Sequence, residues 1–138
     1  MSERDPRTIP TAVGAALSTL ILATGVSLVA LPGLLGADGG VAGDIVGAVA
    51  GLVGLTIGVG AGVLVGWWVV SGFDGWPDST KRVVSGYAAF GLTFAALYVL
   101  TLVAPENIRT FVTVEMLIGA GLVVGAVAHG VEFVRATP

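Results

Sequence analysis

Four stretches of this chain are apolar over a length that a water-soluble helix seldom needs. Ala12–Leu31, Ile45–Val70 and Val83–Ala104 hold no charged residue, and Phe111–Val131 holds only Glu115 and His129 as ionisable groups. Each reaches the roughly 20 residues with which a helix crosses a bilayer. Polar residues, prolines and charges collect between them. The pattern predicts an all-α protein, an integral membrane four-helix bundle forming a single transmembrane domain over residues 1–138. Pro32 and Pro105 follow the first and third runs, where a helix has to end. At helical rise the second run measures about 39 Å, so it is expected to tilt within, or protrude from, a hydrocarbon core of about 30 Å.

A second periodicity runs inside the apolar one. Along the second run Ala50, Gly54, Gly58, Gly62 and Gly66 recur every fourth residue, with Gly47 and Gly51 beside them. Hydrocarbon gives no hydrophobic drive for one helix to bury itself on another, so close backbone approach and van der Waals contact must hold helices together, and small residues permit it. This run is therefore the expected central helix. Small rows on the others are expected to face it: Ala15, Thr19, Ala23 and Ser27 on the first, Ser85, Ala89 and Thr93 on the third, Gly121 and Gly125 on the fourth. The glycine rows read either as tight packing within one bundle or as a pore or homo-oligomer seam.

Composition narrows the classes. Of 138 residues 55% are hydrophobic and 11% charged, against about a quarter charged in soluble domains. The absence of cysteine removes disulfides, thiolate nucleophiles and iron–sulfur ligation, and a single histidine removes any multi-histidine metal site within one chain. A net charge of −3 gives no basic surface for nucleic acid. The stretch GVGAG from Gly58 lacks the third glycine of a dinucleotide loop, because Val63 stands there, and it lies inside a membrane run. No Walker motif surrounds Lys81, the only lysine. No cofactor is expected.

Lysine and arginine set the expected orientation. Arg4, Arg7, Lys81, Arg82 and Arg135 fall on one side and Arg109 alone on the other, so both termini are expected in the cytoplasm and the protein in the cell membrane, multi-pass. Trp67, Trp68 and Trp76 cluster at the inner boundary as anchors. LLGA, ending at Ala37, faintly resembles a cleavage site after the first run. That run is nevertheless expected to stay and span, being longer than a signal h-region and preceded by Glu3 and Asp5.

Few residues carry chemistry. Glu115 is expected one to two turns inside the outer end of the fourth span, and an ionisable group there reads by default as a functional site. Glu115, Gly119, Leu122, Ala126 and His129 project within about 40° of one line, which predicts an inward face. Equal-depth reckoning puts Ser27, Tyr98 and Thr101 beside Glu115, giving a candidate ion or proton site of Glu115, His129, Tyr98, Ser27 and Thr101. The plainer reading has Glu115 snorkelling to headgroups or tying helices together as a protonated carboxyl, and His129 as an interfacial hydrogen-bonding group rather than a relay or a haem ligand. Glu115 and His129 stand about 21 Å apart along one helix and cannot act as an acid–base couple. Tyr87, Phe90, Phe94 and Tyr98 form an aromatic face, expected to meet lipid or a partner protein, with a stacked quinone as the alternative.

The excess of alanine, valine, glycine and aspartate over lysine resembles proteins of salt-loving archaea, and the whole chain is similar to small four-span haloarchaeal membrane proteins, a likeness that implies no particular activity. VEMLIGAGLVVGAV, Val114 to Val127, resembles the carboxylate helix of rotary ATPase proteolipids over one span only, with the carboxylate nearer the helix end. Fluoride channels and small multidrug transporters share the four short spans, but their phenylalanine-rich motif and first-span glutamate have no counterpart. The expectation is a non-enzymatic accessory or interaction subunit of a membrane assembly, with the lipid bilayer, a homo-oligomer or a larger complex as partner and no nucleic acid. The alternative is a small oligomeric channel or transporter for an ion, proton or solute, using Glu115.

Overall fold

A computed structural model of the chain describes residues 3–36 and 40–136, apart from the side chains of 42, 132, 133 and 136. Its long helices are α1 (Thr8–Leu34), α2 (Gly40–Gly72), α3 (Asp78–Val103) and α5 (Val114–Ala136). A 3-10 turn, Phe73–Gly75, joins α2 to α3, and the single-turn helix α4 (Glu106–Arg109) lies between α3 and α5. No strand occurs among the described residues. Four helices are long and apolar enough to cross a membrane. Their outer faces carry Val26, Val29, Leu52, Leu64, Val99 and Val123, all exposed, a surface suited to hydrocarbon rather than water.

The helices overrun the apolar runs in ways that local chemistry explains. α1 starts a turn early, taking Pro10 into its first turn, where the missing N–H had no intrahelical partner anyway. It also continues past Pro32, contrary to the expectation that Pro32 ends it. So near the terminus the ring sacrifices a single backbone bond. The Leu35 N–H still reaches the Leu31 carbonyl at 3.0 Å, and Gly36, at φ +64°, makes the left-handed exit that glycine accepts without strain. The cleavage-like LLGA stretch ends at Ala37, outside the described residues. α3 stops at Val103, just before Pro105, as expected. α5 begins at Val114 rather than Phe111, because the Thr113 hydroxyl accepts the Met116 N–H at 3.3 Å and so supplies the helix start.

The helices pack as a row in the order α2, α1, α3, α5. α2 is therefore an end of the row, not its centre, and α1 and α3 are the inner pair. Among the described residues α2 and α5 share no packed face. The glycine row on α2 meets α1 as its spacing predicts. A methyl built on Gly54 would sit 2.8 Å from the Ser27 Cβ, one on Gly58 3.1 Å from the Leu20 Cα, and one on Gly62 2.9 Å from the Ala16 carbonyl oxygen. The α1 side of this antiparallel contact uses Ala12, Ala16, Leu20, Thr24 and Ser27. The predicted α1 row divides: Ser27 and Ala23 meet Gly54 of α2, while Thr19 bonds Tyr87 of α3 and Ala15 joins a core that includes Ala88 of α3.

On α3, the row Ser85, Ala89, Thr93 is not the one used. Gly91 and Ala88 meet Gly14 and Ser18 of α1, and a methyl on Gly91 would lie 2.6 Å from the Ser18 amide nitrogen. On the other side Gly86 and Phe90 meet Gly125 and Gly121 of α5, where a methyl on Gly125 would lie 2.8 Å from the Gly86 carbonyl oxygen. On α5 the expected pair Gly121 and Gly125, four residues apart, makes its contact, and on α1 Gly14 and Ser18 share the same spacing; only on α3 does the contact fall on other residues, Gly86, Ala88, Phe90 and Gly91. The buried core, Ala12, Ala15, Val69, Phe73 and Ala88, lies where the start of α1, the end of α2 and the start of α3 converge. This end also carries Arg4, Arg7, Lys81 and Arg82 and is called the basic end below.

Candidate functional site

The five residues of the expected ion site occupy four different settings. Ser27 donates its hydroxyl to the Ala50 carbonyl at 2.6 Å, across the α1–α2 contact. Thr101 returns its hydroxyl to Leu97 of its own helix at 2.8 Å. Tyr98 is half exposed and stacks on Phe94 with ring centroids 6.5 Å apart. Glu115 and His129 are both exposed on α5. Ser27 thus faces α2, at the other end of the row from α5, and the structure does not gather it with Glu115.

Two features of α5 account for the position of Glu115. The helix begins at Val114, so Glu115 stands in its first turn, where a carboxylate sits favourably against the positive end of the helix dipole. The face that packs on α3 holds Leu117, Gly121 and Gly125. Of the face expected inward, Glu115, Leu122 and Ala126 are turned outward and exposed, since glycine wins the contact with α3 by allowing closer approach, while His129, exposed overall, keeps its Cβ beside Gly86 of α3, 3.3 Å from where a methyl on Gly86 would lie. The aromatic stripe on α3 is in turn drawn inward over half its length, contrary to the expected lipid-facing position. The Tyr87 hydroxyl lies 2.9 Å from the Thr19 hydroxyl of α1, and Phe90 packs on Gly121 of α5. Ser18 donates to the Tyr87 carbonyl, and Thr19 also bonds the Ala15 carbonyl at 2.8 Å. These hydroxyls tie helices to one another or back to their own backbone, whereas the buried Thr24 hydroxyl at the α1–α2 contact has no hydrogen-bond partner among the described residues.

Beside the α1–α2 contact a cavity of about 430 Å³ opens outward, floored by Gly58, Gly62 and Gly66 and walled by Leu20, Val63 and Trp67. Its lining is apolar throughout, which suits hydrocarbon and offers nothing to an ion. Among the described residues no group of three or more His, Cys, Asp or Glu residues is placed to hold a metal.

Charged chemistry collects instead at the basic end, in a cluster that the sequence pattern had treated only as orientation signals. Asp74, in the turn after α2, accepts the Asp5 N–H at 3.1 Å and the Thr8 hydroxyl at 3.2 Å through one carboxylate oxygen. Arg7 bonds Asp5 through Nε at 3.1 Å and a terminal nitrogen at 2.9 Å. The Arg7 guanidinium and the Lys81 ammonium lie 5.9 and 5.2 Å from the centre of the Phe73 ring, within cation–π range. Phe73 is fully buried and meets Trp76 edge-on at 5.8 Å, and Trp76 in turn lies 4.4 Å from Trp68. The side-chain and backbone hydrogen bonds from Arg7 hold the Asp5 carboxyl below its ordinary pKa of 3.8. The available signal was the presence of Asp5 and Asp74 among basic residues expected on the same side.

Fold and site together define an all-helical protein with four membrane-length helices and a polar, aromatic cluster at one end. Residues 48–132, more than half of the chain, match a family described as a domain of unknown function (DUF8147), and the chain belongs to that family. The match takes in most of α2 and α5 and all of α3, together with Phe73, Asp74 and Lys81. Neither a curated protein nor a solved structure matches the sequence.

Proposed function

We propose that this chain is a multi-pass protein of the cell membrane, with both termini in the cytoplasm, that acts as an accessory or interaction subunit of a larger membrane assembly or homo-oligomer and catalyses no reaction. The observation that carries the reading is the open row: α2 and α5 stand at its ends with their outer faces unpartnered within the chain. Two further features support it. The hydroxyls of Ser18, Thr19, Ser27 and Tyr87 are engaged with backbone or with each other, and Glu115 stands at a helix start rather than within a polar path. The orientation rests on the five basic residues at one end.

The test places a photo-crosslinking residue at Leu64 on α2, at Val123 on α5, or at buried Ala15, and irradiates the protein in its native membrane. Adducts of defined size from Leu64 or Val123 but not from Ala15, together with no ion flux in vesicles reconstituted with pure protein, support the reading. Flux that Glu115→Gln abolishes favours the channel or transporter instead. A chain that gives no adduct from either outer face and migrates as a monomer after mild extraction contradicts the accessory reading.

A further inference from the structure

The contacts at the basic end join three elements far apart in sequence: the segment before α1, the turn after α2, and the start of α3. We propose that the segment Asp5–Arg7, hinged at Thr8, is a charge-controlled clasp, latched by the Asp74 carboxylate, whose release withdraws the Arg7 cation from the Phe73 ring. This inference rests on none of the functional reading above.

One oxygen of Asp74 holds both the Asp5 N–H and the Thr8 hydroxyl, so a single group fixes the segment at its two ends. Between those points Arg7 is drawn over Phe73 by its two-bond contact with Asp5. Lys81, near the start of α3, approaches the same ring and donates to the Asp74 carbonyl at 3.4 Å. Two cations beside one ring repel each other. The carboxylates facing them are Asp5 and Asp74, with Asp78 one turn before Lys81 on α3, and losing the charge of Asp74 removes the one that the segment before α1 is latched to.

Accessibility makes the latch reversible. Asp74 is exposed although its neighbour Phe73 is fully buried, so water and salt reach the carboxylate while the ring stays covered. Contacts between exposed charges are individually weak and screened by salt. Release is bounded on the far side, because Thr8, Thr11, Ala12 and Ala15 are buried and keep α1 in place, so that buried Thr8 is the hinge about which Asp5–Arg7 moves. What moves is a strap of three residues, Asp5–Arg7, that holds a cation against the Phe73 ring.

Hydrogen exchange of the full-length protein in lipid nanodiscs tests the clasp, with the Arg4 amide as the free reference and tryptic cleavage after Arg7 as a second readout. The clasp predicts that the Asp5 amide exchanges more slowly than Arg4, that Asp74→Ala speeds it about tenfold, and that cleavage after Arg7 accelerates with it. Raising salt from 0.1 M to 1 M, which shortens the screening length from about 10 to about 3 Å, should speed exchange in the unaltered protein and have little further effect on Asp74→Ala. Thr8→Val, which keeps the side-chain shape and removes the donor, should give a smaller acceleration and serves as the independent variant should Asp74→Ala not fold. An Asp5 amide that exchanges as fast as Arg4 in the unaltered protein, or rates of exchange and cleavage that neither substitution nor salt changes, overturns the proposal.

Discussion

Asp5 shows how one side chain at the basic end makes stability depend on pH. Hydrogen bonds from Arg7 lower its folded-state pKa below 3.8. The stabilisation is therefore fully present at pH values well above 3.8 and is lost as pH falls through the depressed folded value. Tryptic cleavage after Arg7, corrected for the protease's own pH dependence, should be constant from pH 8 to 5, and amide exchange at Arg7, corrected for intrinsic pH dependence, should rise only below about pH 4. Ser27 and Thr101 make a second contrast. The Ser27 hydroxyl crosses to Ala50 of α2, whereas the Thr101 hydroxyl stays on its own helix. Hydrogen bonds between membrane helices average about 0.6 kcal/mol, so Ser27→Ala should cost about that much and Thr101→Val close to nothing, read by denaturation in mixed micelles. Glu115, at the start of α5, interacts chiefly with the helix end. Glu115→Gln should lower stability by about 0.3–1 kcal/mol and leave vesicle permeability unchanged.

At the scale of the helix, glycine position matters more than glycine number. Gly58 meets the Leu20 backbone, whereas a methyl on Gly60, two residues on, meets nothing within 4 Å. Gly58→Leu should push α2 off α1 at a cost of about 1–3 kcal/mol, as overpacking does elsewhere, while Gly60→Leu should be nearly neutral; thermal unfolding in detergent separates them. The four runs were legible because a bilayer imposes one length and one polarity on every crossing, and the α2 row because its four-residue repeat is unbroken. Other faces were not legible for a physical reason. α1 packs on both sides, so two sets of small residues interleave along it, and a search for one row mixes Thr19, which bonds α3, with Ser27, which bonds α2. α5 likewise carries two faces, Gly121 with Gly125 and the line of Glu115, Leu122 and Ala126, with His129 at their border, its Cβ beside Gly86 of α3. Periodicity alone does not say that the glycine face is the one that meets α3. The clasp was hidden because its partners, Asp5 and Asp74, lie 69 positions apart.

For the whole molecule the central claim is the order of the row, α2 on α1, α1 on α3, α3 on α5, held by glycine contacts. That order leaves α2 and α5 with free flanks, puts the core at the basic end, and separates Ser27 from Glu115. Because the chain has no cysteine, paired cysteine substitutions test the order without a competing thiol. A Cβ on Gly66 would lie 3.7 Å from that of Ala16, close to the ~3.8 Å typical of a disulfide. A Cβ on Gly125 would lie 3.6 Å from that of Phe90. The most direct measurement is oxidative cross-linking, in lipid bilayers, of Ala16→Cys/Gly66→Cys and Phe90→Cys/Gly125→Cys, with Gly60→Cys/Ala126→Cys joining the outer faces of α2 and α5 as the comparison. The row predicts rapid disulfide formation within one chain for the first two pairs and none within one chain for the third. Rapid closure of the third pair within a chain, with the first two failing, would contradict it.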